Sequence, residues 1–122
     1  GVRVQDLLQP HLPPCSADVA VFPSLMEATS VAALECMACE VPVAASRVGG
    51  LPEIVDDEVG ALFAPADPAD LARHVAVLLQ RDDLRELGAR ARRRVVERWS
   101  NARLAERHIE IYRDVIARRK AA

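Results

Sequence analysis

The stretch ADVAVFPS, residues 17–24, holds a strand and the signal that ends it. Positions 19–22 are all apolar, and Pro23 has no N–H to donate to a sheet ladder. A run that is apolar on both faces is a strand covered on both sides, as in a parallel sheet. VPVAAS at 41–46 and GALFAP at 60–65 repeat the pattern. Between the first two lies TSVAALECMAC, residues 29–39, made of good helix formers with apolar residues at Val31, Leu34 and Met37. Neighbouring parallel strands need a crossover, usually a helix. The fold class expected is therefore α/β, an open parallel sheet flanked by helices.

The rest of the chain extends this order. Gly49-Gly50 reads as a turn and residues 51–55 as a short helical turn. Asp67-Pro68-Ala69-Asp70 is a strong helix start, with Asp67 at the N-cap, Pro68 at the first helical position and Asp70 at the third. Leu71, Val75, Leu78 and Leu79 form that helix's apolar face. Asp82 or Asp83 is expected to cap a further helix, with Leu84, Leu87, Ala91 and Val95 facing inward. Ser100 is expected to cap the last, with Trp99 packed on Leu104 as a staple and Leu104, His108, Ile111, Tyr112 and Val115 at helical spacing. Pro10, Pro13 and Pro14 forbid a long regular helix over residues 5–15.

Composition excludes several classes. The 122 residues are 51% hydrophobic but only 3% aromatic, so the core is aliphatic. Residues 1–80 carry 3 basic and 11 acidic side chains, residues 81–122 carry 13 and 7. The basic C-terminal part reads first as a solvated helical face. It lacks the interleaved aromatics that would mark a nucleic-acid surface, and an anionic membrane surface suits it better. No apolar run approaches the roughly 20 residues needed to span a bilayer, and a cytoplasmic or membrane-peripheral location is expected. Three cysteines form no disulfide framework, and the chain opens on Gly1, so we expect it to be part of a longer polypeptide.

The chemistry concentrates in FPSLMEATSVAALE, residues 22–35. It begins at the carboxyl end of a strand, where open α/β sheets bind ligands. Thr29 or Ser30 starts a helix whose free N–H groups suit an anion such as phosphate. Glu27 lies just before that start and Glu35 inside the helix, eight positions on. A carboxylate accepts two hydroxyl hydrogen bonds at once, which suits the vicinal diols of sugar and ribose rings. A plain alternative makes Glu27 a helix-start acid and Glu35 a solvated helix residue.

Residues 17–55, ADVAVFPSLMEATSVAALECMACEVPVAASRVGGLPEIV, closely resemble the donor-binding core of glycosyltransferase family 4. Glu27 and Glu35 reproduce that family's E-x7-E spacing, and GALFAPADPADLARHVAVLL and WSNARLAERHIEIYRDVI look like its following segment and closing helix. The likeness runs over about residues 17–117. It implies retaining transfer of a glycosyl group from a nucleotide sugar to an acceptor hydroxyl, on the GT-B fold. By position it implies that Glu27 is the catalytic residue and contacts donor-sugar hydroxyls. It also implies that Ala28, Thr29, Ser30 and Val31 line the diphosphate and sugar, and that Glu35 holds the ribose. No metal and no cofactor are implied, since the helix end stabilises the leaving diphosphate.

The same likeness makes residues 1–122 the second half of a C-terminal Rossmann-like donor-binding domain, with 100–118 as its closing helix and the N-terminal acceptor domain absent. The chain alone is then expected to be inactive and, through an open sheet edge, to self-associate. The other reading is a non-catalytic α/β module that binds a partner through that edge.

Three departures stand out. Ala28-Thr29-Ser30 replaces Gly-Phe-Gly, three prolines interrupt residues 5–15, and Glu40 stands where the family prefers Gly. Glu40 falls just past a helix end, where a left-handed backbone would cost a non-Gly residue roughly 1 kcal/mol. Cys36-x-x-Cys39 lies at the wrong end of its helix for a low-pKa thiol and is read as helix filling. His11, His74 and His108 have no metal-like spacing. Gly49-Gly50 is read as a turn that could also support the donor cleft.

Overall fold

The computed structural model describes residues 16–121. The expected helix break at Pro10, Pro13 and Pro14 lies outside them, as do His11 and Cys15. The elements run β1 (Ala20–Phe22), α1 (Val31–Ala38), β2 (Val43–Ser46), α2 (Leu51–Ile54), β3 (Gly60–Phe63), α3 (Pro68–Leu79), α4 (Leu84–Trp99) and α5 (Asn101–Ala121). The strands form a parallel sheet in the order β1-β2-β3, with Phe22 beside Ala45 and Ser46 beside Phe63. All three strand ends therefore open on the same carboxyl edge.

Every residue of β2 and β3 is buried, as two covered faces require. One layer joins Ala33 and Met37 of α1, Leu51 and Ile54 of α2, and Ala91 and Val95 of α4 to Val43, Ala45 and Leu62. The other joins Leu78 of α3 and Leu87 of α4 to Ala44, Ala61 and Phe63. Met37, Leu51, Ile54 and Leu87 are fully buried, each worth about 1.5–3 kcal/mol of hydrophobic stabilisation.

β1 departs from the expected full burial. All three residues are half-buried, because among the described residues β1 pairs only with β2 and forms the sheet's edge.

Helix α3 starts as its letters dictate. The Asp67 carboxylate accepts from the Asp70 N–H at 3.0 Å, and Pro68 fills the first helical position. Asp70 in turn accepts from the Ala64 N–H at 2.8 Å, tying the helix start to the end of β3. Leu79, placed on the apolar face by spacing, is 38% exposed at the helix end.

Two expected caps resolve differently. Asp83 occupies the N-cap of α4, but its side chain makes no capping bond. Arg81 takes the carboxylate in two bonds, Nε at 2.7 Å and a guanidinium nitrogen at 2.8 Å, and Arg90 adds a third at 3.4 Å. Ser100 does cap α5, accepting from the Arg103 N–H at 3.4 Å. Trp99, expected to staple onto Leu104, packs against the core, and Leu104 is 54% exposed. No residue of α5 is buried, so its apolar positions face outward.

Candidate functional site

The site is built on the loop that leaves β1 at the carboxyl edge. Pro23 ends the strand, and residues 23–30 carry the chain to Ser30. Ser30 is buried and has extended backbone, and its hydroxyl accepts from the Ala33 N–H at 3.3 Å. The first helical bond of α1 runs from the Leu34 N–H to the Ser30 carbonyl at 3.2 Å. The N–H groups of Val31 and Ala32 thus precede the hydrogen-bonded ladder, at the positive end of the helix dipole.

Glu27 is half-buried in this loop, and Ala28 and Thr29 are exposed. Glu35 is exposed on α1. The helix rises about 1.5 Å per residue, so Glu35 stands about 7.5 Å along the axis from Ser30. Of the apolar residues named for α1, Met37 is buried and Leu34 half-buried, whereas Val31 is 62% exposed and Ala33 takes the inner face instead. Leu25 and Met26 are also exposed, at 73% and 90%.

Two features of the second strand's end shape this loop. Ser46 closes β2 fully buried, and its hydroxyl donates to the Ser24 carbonyl and, at 3.3 Å, to the Phe22 carbonyl. Spacing gave no role to Ser46; the available signal was a polar residue ending an otherwise apolar strand. Gly49-Gly50 follows. The Gly50 N–H donates to the Ala28 carbonyl at 3.0 Å. Gly49 has φ +52, and a Cβ there would lie 1.6 Å from the Glu27 carbonyl oxygen; one on Gly50 would lie 2.2 Å from that of Ala28.

The cysteine pair sits at the far end of α1. Cys36 lies in the last turn and Cys39 is the C-cap. The Val41 N–H reaches the Cys36 carbonyl at 3.0 Å, and the Glu40 N–H reaches the Met37 carbonyl at 3.0 Å. That is a Schellman closure, with Glu40 left-handed at φ 63. A helix C-terminus disfavours thiolate, so the pair is placed as a helix end rather than a redox start. Among the described residues, no cluster of three or more His, Cys, Asp or Glu could hold a metal ion.

Many basic side chains of residues 81–122 sit in ion pairs, some with acids earlier in the chain. Arg94 bridges Asp56 at 2.8 Å and Glu58 at 2.7 Å, fastening the turn before β3. Burial raises the Asp56 carboxyl, but hydrogen bonds from Arg94 and the Glu58 N–H, with the Arg94 and Arg98 charges, outweigh it and hold it low. Arg93–Glu86, Arg103–Glu106 and Arg107–Glu110 pair along α4 and α5. A shallow concavity of about 280 Å³ at Arg90, Arg94 and Arg98 touches Glu58 and Val59. Those residues precede β3, so the concavity lies at the opposite sheet edge from the site. Among the described residues, no helix is long and apolar enough to cross a membrane.

Residues 3–81 match the family described as Glycosyl transferases group 1, more than half of the chain. The chain belongs to that family. This glycosyltransferase chain is 41% identical over 103 residues to D-inositol 3-phosphate glycosyltransferase of Saccharomonospora viridis, a match covering 84% of this chain and 24% of that protein. It superposes on sucrose-phosphate synthase from Thermosynechococcus elongatus with a TM-score of 0.76 at 36% identity, over 84% of this chain and 26% of that one. HepE of Anabaena, solved in complex with UDP, gives a TM-score of 0.77 at 21% identity, over 83% of this chain and 29% of that one, a likeness of fold. The chain spans about a quarter of the length of these relatives. Its parallel sheet and flanking helices are the fold of a GT-B glycosyltransferase C-terminal domain.

Proposed function

We propose that this chain is the donor nucleotide-sugar-binding part of a retaining, family 4 glycosyltransferase. In this reading the full-length protein moves a glycosyl group from a nucleoside diphosphate sugar to an acceptor hydroxyl. The observation that carries it is the placement of Glu27 and Glu35 on either side of a capped helix start at the sheet's carboxyl edge.

Each group then has a task. The Val31 and Ala32 N–H groups face the diphosphate and stabilise the negative charge that grows on it as the glycosidic bond breaks. The Glu27 carboxylate accepts hydrogen bonds from donor-sugar hydroxyls and fixes the anomeric carbon relative to the acceptor. The Glu35 carboxylate accepts from the ribose hydroxyls. Ala28, Thr29, Ser30 and Val31 line the path between them. Acceptor groups would come from segments outside these residues, so the isolated chain is expected to be inactive.

A cytoplasmic location belongs to the same reading, with peripheral contact of the full-length protein to an anionic membrane, which the basic balance of residues 81–122 supports. Transfer by the full-length protein tests the assignment: Glu27→Ala abolishes it, and wild-type turnover in that variant would sink the reading.

A further inference from the structure

We propose that Ser46, Gly49 and Gly50 are positioning residues that hold the Glu27 loop in register for the donor sugar. This rests on the reading of Glu27 given above. Three observations converge on one backbone segment. The buried Ser46 hydroxyl donates to the Phe22 and Ser24 carbonyls, pinning the loop where it leaves β1. The Gly50 N–H holds the Ala28 carbonyl at 3.0 Å. Gly49 and Gly50 together leave room for the Glu27 and Ala28 carbonyls, at points where any Cβ would lie 1.6 and 2.2 Å away.

The contacts are asymmetric along the loop. They grip residues 22–28, with a Cβ on Gly50 also coming within 3.9 Å of the Thr29 Cα, and none of them reaches Glu35, where the ribose would lie. Glu27 has no helix or strand of its own to fix its backbone. Its position is imposed from the β2–α2 turn, which lies in a different crossover unit. Loosening that turn frees the sugar-facing carboxylate and leaves the diphosphate end in place.

The experiment uses the full-length protein that carries this chain, with Ser46→Ala and Gly50→Ala made separately. Ser46→Ala removes one hydroxyl without adding volume and so tests the pin without a clash. Amide hydrogen exchange is read across the domain, together with affinity for UDP and the rate of glucose release from UDP-glucose. The expected result has four parts: faster exchange confined to residues 24–30, wild-type exchange in β3 and α4, UDP affinity within about twofold, and glucose release slower by about 10- to 100-fold. Unchanged exchange in residues 24–30 of Ser46→Ala overturns the proposal. So does exchange that rises equally through β3 and α4, or UDP affinity lost in step with rate, since either marks a purely structural role. Glu27→Ala is run alongside. Wild-type rates in that variant remove the functional reading, while the exchange pattern still decides whether the turn holds the loop.

Discussion

Gly88 of α4 packs directly on the Glu40 carbonyl: a Cβ added at Gly88 would lie 2.0 Å from that oxygen. The contact seats the end of α1 against α4. Arg92 reinforces it by donating to the Ala38 carbonyl, and its charge lies 4.0 Å from the Glu40 carboxylate. The clash is with backbone, which cannot swing aside. Gly88→Ala is therefore expected to destabilise the domain by about 1–3 kcal/mol, read as a lower midpoint in urea unfolding. An unchanged midpoint would mean that the two helices can slide apart at no cost.

Glu40 itself gives the opposite expectation. Its left-handed backbone is strained for any side chain, and its carboxylate stands at the negative helix end. The Arg92 pair is exposed on both sides and recovers little. Glu40→Gly relieves the strain, offset in part by the freer unfolded chain. A net gain of up to about 1 kcal/mol is expected, equivalent to a melting temperature higher by about 4 °C.

Acid should loosen the start of α4. Hydrogen bonding from Arg81, supported by Arg90, lowers the Asp83 carboxyl from its ordinary value of 3.8 to about 2. Its contribution is complete above the unfolded value and is lost as pH falls through the folded one, so the window lies between pH 3.8 and about 2. Asp70 acts in the same direction, held low first by the Ala64 N–H and then by Arg73. An acid titration of stability should be shallower over that window in Asp83→Asn than in the wild type.

The carboxylate of Asp67 can be tested alone. Asp67→Ala removes the bond to the Asp70 N–H and is expected to cost about 1 kcal/mol, with Asp67→Ser recovering most of it. Equal losses in both variants would show that the bond is not what starts α3.

Among the described residues β1 pairs on one side only, and with the outward apolar positions of α5 this makes self-association of the isolated chain the expected behaviour. Light scattering that returns a monomer over a wide concentration range would refute this.

Different parts of the molecule were legible to different degrees. The β2 and β3 strands and the Asp67 start were readable because each depends on a few adjacent residues: unbroken apolar runs, or a cap followed by Pro. The capped start of α1 was readable in the same way, whereas the backbone of Glu27 lies in the loop before it, where spacing fixes no position. Ser46 was not, since its partners lie 22 and 24 positions away and sequence spacing carries no sign of them. Asp83 misled for a related reason. Its cap position was correct, but Arg81 competed for the carboxylate two residues away. Which apolar residues of α1 turn inward was not legible either: Ala33 and Met37 are buried, while Val31 and Ala32 are exposed.

Helix α5 has 21 residues and none of them is buried, whereas Trp99, the only tryptophan, packs on the core just before it. A helix without a core contribution can lose its backbone order while the sheet stays intact. The two common optical probes therefore watch different parts of this chain. Far-ultraviolet ellipticity draws about a third of its helical signal from α5, whereas indole fluorescence reports on the core at Trp99. Heating should give ellipticity an early partial loss from α5 before the main transition, which fluorescence follows and on which the midpoints above are read.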